Sequence, residues 1–188
     1  MTQIGRQHPI LSLSLVTALE PSLTADLVLR PAQTADIETI VSIESRGSIS
    51  QFIRPWRHER HAAALDNRNY AYLIAEVAGE TVGFVIFQEV LSTDRAINLM
   101  RIVTSEPGQG HGKPLMRLAM RHAFIDLGAH RLWLDVFAQN DRARHVYSDL
   151  GFVEEGCLRD AAQKPDGFHS LIIMSMLEDE YRALPDAS

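Results

Sequence analysis

The chain is poor in what would hold nucleic acid, cross a membrane or staple a secreted fold. Cysteine occurs once, at Cys157, in 188 residues. One thiol makes no internal disulfide and no thiolate metal site. It fits a reducing compartment, and the expected location is the cytoplasm. Lys and Arg number 18 against 24 Asp and Glu, a formal net charge of −6. The basic surplus that would hold nucleic acid through bulk charge is therefore missing, and no nucleic-acid partner is expected. No apolar run approaches the ~18 residues of a membrane-spanning helix, so no membrane partner is expected either. The nearest is Ile10 to Leu19, behind Arg6 and His8. Its basic flank is thin and no clear small-x-small cleavage site follows, so it reads as part of an extension rather than a signal peptide. The histidines, His58 and His61 among them, show no metal-ligand spacing with carboxylates or cysteine, so no metal is expected.

What is present is globular: 46% hydrophobic and 22% charged residues, without repeats or low-complexity blocks. Residues 1–26 read as a loosely attached N-terminal extension, 27–181 as one domain and 182–188 as a tail. LVLRP (27–31) is a strand stopped by proline. Thr34 is expected to cap a helix carrying Ile37, Ile40, Val41 and Ile43, ended by Gly47. Residues 48–69 are irregular, with a helix over 59–65. Three strands follow, at 70–77, 81–90 and 96–104, with turns short enough for an antiparallel meander. Leu115 to Leu127 has helical apolar spacing and stops at Gly128. A strand over 131–137 and a helix over 140–150 lead to two closing strands, 152–156 and 168–177. Cys157 is expected to be a half-buried structural thiol. The apolar strand 171–177 is a candidate for pairing across a homodimer. The fold class is mixed α/β.

Two elements point to chemistry. Pro107-Gly108-Gln109-Gly110-His111-Gly112-Lys113 follows a strand and opens a helix. Unpaired N–H groups at a helix start carry partial positive charge, and glycines let a phosphate approach the backbone closely. Lys113 adds a full charge. The loop is neither a dinucleotide fingerprint, which needs glycine at 113, nor a P-loop, which needs glycine at 107 and Ser or Thr at 114. Read alone, it serves equally as a turn into a helix. The second element is Asn140, Ala143 and Tyr147 on one helix face. Asn140 is a good N-cap, Ala143 leaves room along the face, and Tyr147 presents a phenol able to protonate a thiolate.

Together, Val103 to Leu115 and Asn140-x-x-Ala143-x-x-x-Tyr147-x-x-x-Gly151-Phe152 resemble the GNAT acyltransferase superfamily. The stretches 151–159, 166–169 and 174–177 look like its branch of ribosomal-protein alanine acetyltransferases. The resemblance spans residues 27 to 181. It implies a mostly antiparallel mixed sheet flanked by helices and acetyl-CoA as cosubstrate. It places the backbone of Ile102, Val103 and Thr104 on the pantetheine arm. Gln109, Gly110, His111, Gly112 and Lys113 would cradle the pyrophosphate, Asn140 and Ala143 would border the pantetheine, and Tyr147 would protonate the departing thiolate. Pro107 departs from the family's usual Arg or Gln, and Pro114 removes an N–H from the first helical turn.

The implied reaction is direct attack of a primary amine on the thioester, with a carboxylate taking the proton and a β-strand N–H near Val103 polarising the carbonyl. Glu89 is the first candidate base and Glu106 the second. The acceptor is a small-molecule amine or a protein N-terminus. Residues 46–69, with Arg46, Phe52, Arg54, Trp56, Arg57 and Arg60, either border the acceptor or form a solvated basic helix with Trp56 filling a core gap. The alternative function is a non-catalytic CoA-binding sensor on the same fold.

Overall fold

The computed structural model describes residues 26–185; the Ile10–Leu19 stretch lies outside the described residues. Seven strands form one sheet in the order β1-β2-β3-β4-β5-β7-β6. β1 (Leu27–Pro31), β2 (Tyr70–Val77), β3 (Glu80–Gln88) and β4 (Ala96–Thr104) make the antiparallel meander. β4 then pairs in parallel with β5 (Arg131–Phe137). β5 pairs antiparallel with β7 (Gly167–Leu177), and β7 with the edge strand β6 (Val153–Lys164).

The central strands are apolar on both faces because helices cover both. Leu73, Ala75, Val85 and Phe87 pack on the side of α4 (Gly112–Arg121), whose Leu115, Met116, Ala119 and Met120 are all buried. Their neighbours Tyr72, Ile74, Phe84 and Ile86 face the other way, onto Ile40 and Ile43 of α1 (Ile37–Glu44) and Ala64 of α3 (His58–Leu65). The period-2 alternation thus feeds two cores from one sheet. α5 (Asp141–Asp149) follows β5, and α6 (Glu178–Arg182) follows β7.

Several boundaries differ from the sequence reading. Thr34 does not cap α1. Residues Thr34–Asp36 form a 3-10 turn, in which the Asp36 carboxylate accepts from the Gln33 N–H at 2.7 Å and from the Arg30 guanidinium at 2.8 Å. Gly47 opens a short helix, α2 (Gly47–Ser50), instead of only ending α1. β3 stops at Gln88 because Glu89 adopts φ 65°. α4 gives way to a π turn over His122–Asp126 before Gly128. β6 runs far beyond residue 156, with register shifts at Glu154/Gly156 and Leu158/Ala162. Cys157 lies on this outer strand and is exposed, not half-buried. β7 sits between β5 and β6, so its backbone is already paired on both sides and residues 171–177 have no free edge for a partner.

Gly83 sets the spacing between β3 and β4. A Cβ there would lie 2.3 Å from the Val103 carbonyl oxygen. Gly83→Ala is expected to force the two strands apart and cost about 1–3 kcal/mol, read as a lower denaturation midpoint. An unchanged midpoint would show that β4 moves aside freely.

Candidate active site

β4 and β5 pair over only three rungs, Ala96–Arg131, Ile97–Leu132 and Asn98–Trp133, and then part. β3 keeps its pairing with β4 through Thr104, with a register shift that leaves Met100 unmatched. The β5-facing backbone of residues 100–104 therefore has no strand partner. Backbone N–H and C=O groups need partners, and an extended ligand carrying amides supplies them.

Two cavities meet in this gap, one of about 420 Å³ beside the glycine loop and one of about 660 Å³ toward α1–α3. Ile102, Thr104, Pro107, Asn140, Ala143 and Tyr147 line both, so they form one continuous cleft. Val103 lines the wider part. Gly108 and Gly110 take φ of +99° and +83°, a backbone that residues with a Cβ rarely adopt. His111 precedes α4, and its carbonyl accepts the helix bond from Leu115 N–H at 2.9 Å. Pro114 falls just before that donor, where a missing N–H costs the helix nothing.

Not every loop residue faces the cleft. Gly110, His111, Gly112 and Lys113 line the loop-side cavity, whereas Gln109 lines neither cavity and donates to Glu106 Oε2 at 3.3 Å. Glu106 itself lines the loop-side cavity, away from the wider space. Lys113 Nζ sits 2.6 Å from Asp149 Oδ2, so its charge is spent on α5.

Asn140 caps α5 as its residue type foretells: Oδ1 accepts from Ala143 N–H at 3.2 Å. Tyr147 packs its ring against Phe152, with centroids 6.1 Å apart. Burial, helped by the negative charge of Asp135, pushes its phenol up to about 12. Tyr147 thus holds its proton throughout the neutral range.

Two carboxylates line the wider cavity. Glu89 follows Gln88, which pairs with Tyr70 on β2 and Asn98 on β4. Asp135, which the sequence reading passed over, lies two residues beyond the last β4–β5 rung. Its side chain reaches solvent within the cleft, yet partial desolvation by the cleft walls raises its carboxyl, and Arg101 and Arg54 offset part of the rise. The signal was in RLWLDVF: Leu132, Leu134 and Val136 are buried in the helix-side core, which puts Asp135 on the opposite face of an inner strand, between Trp133 and Phe137.

The far wall hangs on Glu44, which is fully buried. Its carboxylate accepts from Arg101 Nε at 3.1 Å and from the Trp56 N–H at 2.8 Å, and His61 Nε2 lies 3.4 Å away. Burial alone would raise this carboxyl; His61, Arg101 and the Trp56 N–H outweigh it and hold it below its usual value. A lowered carboxyl stabilises the fold above the ordinary carboxylate pKa, and that contribution is lost as pH falls through the folded value. Arg101 also donates to the Arg54 carbonyl at 2.7 Å. Arg46 tethers the same segment by donating to the Ser105 carbonyl at 2.5 Å. Trp56 both packs on the second core and lines the cavity, so the two readings of this segment coincide. Glu44→Gln leaves Arg101 without its counter-charge. It is expected to cost about 3–5 kcal/mol, checked by denaturant unfolding at neutral pH.

A mixed sheet with a cleft between parting parallel strands is the fold of known N-acetyltransferases. The structure of spermidine N-acetyltransferase from Vibrio cholerae in complex with CoA and spermine superposes with a TM-score of 0.76 at 23% identity, covering 83% of this chain and 98% of that one. The chain belongs to the acetyltransferase (GNAT) family, whose model matches residues 37–152. Among curated relatives, the spermidine N(1)-acetyltransferase of Vibrio cholerae is 24% identical over 168 residues, 85% of this chain and 97% of that protein. The ribosomal protein bS18 alanine N-acetyltransferase of Escherichia coli K12 is 29% identical over 149 residues, 77% of this chain and 93% of that protein. The chain is thus an N-acetyltransferase with acetyl-CoA as donor. No group of three or more His, Cys, Asp or Glu is placed to hold a metal among the described residues.

Proposed function

We propose that the cleft transfers acetyl from acetyl-CoA to a primary amine in a ternary complex, with Tyr147 as general acid and Asp135 as general base. The pantetheine would lie between β4 and β5, bonding the bare backbone of Ile102, Val103 and Thr104 and bordered by Asn140 and Ala143. Its pyrophosphate would meet the N–H groups of Gly110, His111, Gly112 and Lys113 at the start of α4. The amine nitrogen attacks the thioester carbon. Its proton goes to Asp135, directly or through one water. A β4 N–H near Val103 stabilises the oxyanion. As the C–S bond breaks, Tyr147 gives its proton to the sulfur and CoA leaves as the thiol.

The observation that carries this reading is that Tyr147 and Asp135 line one cavity where β4 and β5 part, the phenol keeping its proton there. Glu89, the base expected from the sequence, lines the same cavity and is the second reading. The relatives' names span a polyamine and a protein N-terminal alanine, so the acceptor is proposed only as a primary amine, small or N-terminal. The test is thiol release from acetyl-CoA across an amine panel, with the acetylated amine identified by mass spectrometry. Acetyl-CoA binding without release from any amine would instead favour the non-catalytic sensor.

A homodimer remains part of the proposal, with a different edge. β6 is exposed along most of its length and carries Val153 and Leu158 outward. An unpaired edge of that kind invites a second copy. Light scattering is expected to give twice the chain mass; a monomeric mass removes the idea.

A further inference from the structure

The wider cavity is lined by more arginines than carboxylates, and two of those arginines make no ion pair among the described residues. Arg54, Arg60 and Arg101 line it against Glu89 and Asp135. Arg101 is spent on buried Glu44. Arg54 and Arg60 have no carboxylate within ion-pair distance among the described residues, although the surface offers many. Lys164 lies 4.4 Å from the centroid of the Phe137 ring, which lines the cavity, and donates to the Gln51 carbonyl.

Arg60 is also posed. Its guanidinium carbon lies 3.7 Å over the centroid of Trp56, and the Trp56 backbone is pinned by Glu44. A guanidinium stacked on a ring keeps its in-plane N–H edge open, the edge that forks a carboxylate or phosphate. The segment bearing Arg54 is fixed in the same way, through the bond from Arg101 to its carbonyl. Arg54 and Arg60 therefore line the cavity without an ion pair among the described residues: Arg60 is posed on Trp56, and Arg54 feels Asp135 only through space. A polyamine would bring its remaining ammonium groups against them, and Asp135 is engaged in proton transfer.

We propose that the acceptor is a small primary amine that also carries a carboxylate or phosphate, with Arg54 and Arg60 binding that anion while the amine reaches the thioester. This rests on the N-acetyltransferase reading of the cleft. The cavity of about 660 Å³ falls within the ~300–1,000 Å³ of small-molecule sites.

The experiment measures thiol release at saturating acetyl-CoA with four kinds of amine. They are ω-amino acids from glycine to aminohexanoate, phosphoethanolamine, propylamine and spermidine. At least one anionic amine is expected to exceed propylamine and spermidine in kcat/KM by about tenfold or more, the scale of one charge-assisted hydrogen bond. The amino-acid and phosphoethanolamine arms tell carboxylate from phosphate. In Arg54→Gln/Arg60→Gln, the ratio of kcat/KM for that amine to propylamine should fall about tenfold or more, mainly through KM. Arg60→Lys should keep part of the preference, and a retained acetyl-CoA thermal shift shows that the variants fold. Preference for spermidine or propylamine, or a ratio that the arginine changes leave unmoved, overturns the inference and leaves the transfer reading standing. No release with any amine overturns the transfer reading and the inference together.

Discussion

Tyr147→Phe is expected to lower kcat by about 10²–10⁴-fold, the range for removing a general acid, while acetyl-CoA still binds. The ring stays packed on Phe152; only the hydroxyl goes. Without it the thiolate must leave unprotonated, so the loss falls on the step that breaks the C–S bond. Because the phenol is pushed up to about 12, it stays protonated through the working range. Wild-type activity should therefore show no limb from Tyr147 until the solution becomes strongly alkaline. Stopped-flow or steady-state thiol release, beside acetyl-CoA thermal shifts of both proteins, checks this. An undiminished kcat would remove Tyr147 from the chemistry.

Asp135→Asn is expected to lower kcat/KM by about 10²–10⁴-fold and to remove one limb of its pH profile. The base must be ionised. Partial desolvation in the cleft raises the Asp135 carboxyl, so the wild-type acid limb should lie above the ordinary carboxylate range. A second limb belongs to the acceptor, which must be a free amine, and it should survive in the variant. The stability effect has the opposite sign. A carboxyl raised in the folded state stabilises the fold only at low pH, and that contribution is lost as pH rises through the folded value. At neutral pH the asparagine variant should therefore be at least as stable as the wild type. Inactivity with undiminished stability separates proton transfer from mere structure. Retention of the limb in Asp135→Asn, with its loss in Glu89→Gln, would pass the role to Glu89.

The sheet was legible because its inner strands are short apolar runs and its turns are tight, as at Ala78-Gly79. The helix face of Asn140, Ala143 and Tyr147 was legible because capping and periodicity are local rules. The boundaries that moved depend on distant partners. Asp36 is held by Arg30 and Glu76 shares the same guanidinium, so the entry to α1 is fixed by a side chain on β1. The long β6 needs β7 as its template, which no local pattern announces. Asp135 was passed over because its pattern puts it on the open face, whereas its place in the cleft comes from where β4 and β5 part. Lys113 lines the loop-side cavity as its motif foretells, but its ion pair with Asp149, 36 residues later, was not legible from local spacing. The Glu44 network joins α1, the Trp56 segment, α3 and β4, and only the assembled fold brings these together.

The central claim is transfer in a ternary complex within the β4–β5 cleft. Its most direct test is initial-rate thiol release with acetyl-CoA and the amine varied together. The account predicts intersecting double-reciprocal lines and no thiol release without amine. Parallel lines, or an acetylated enzyme trapped in the absence of amine, would contradict it.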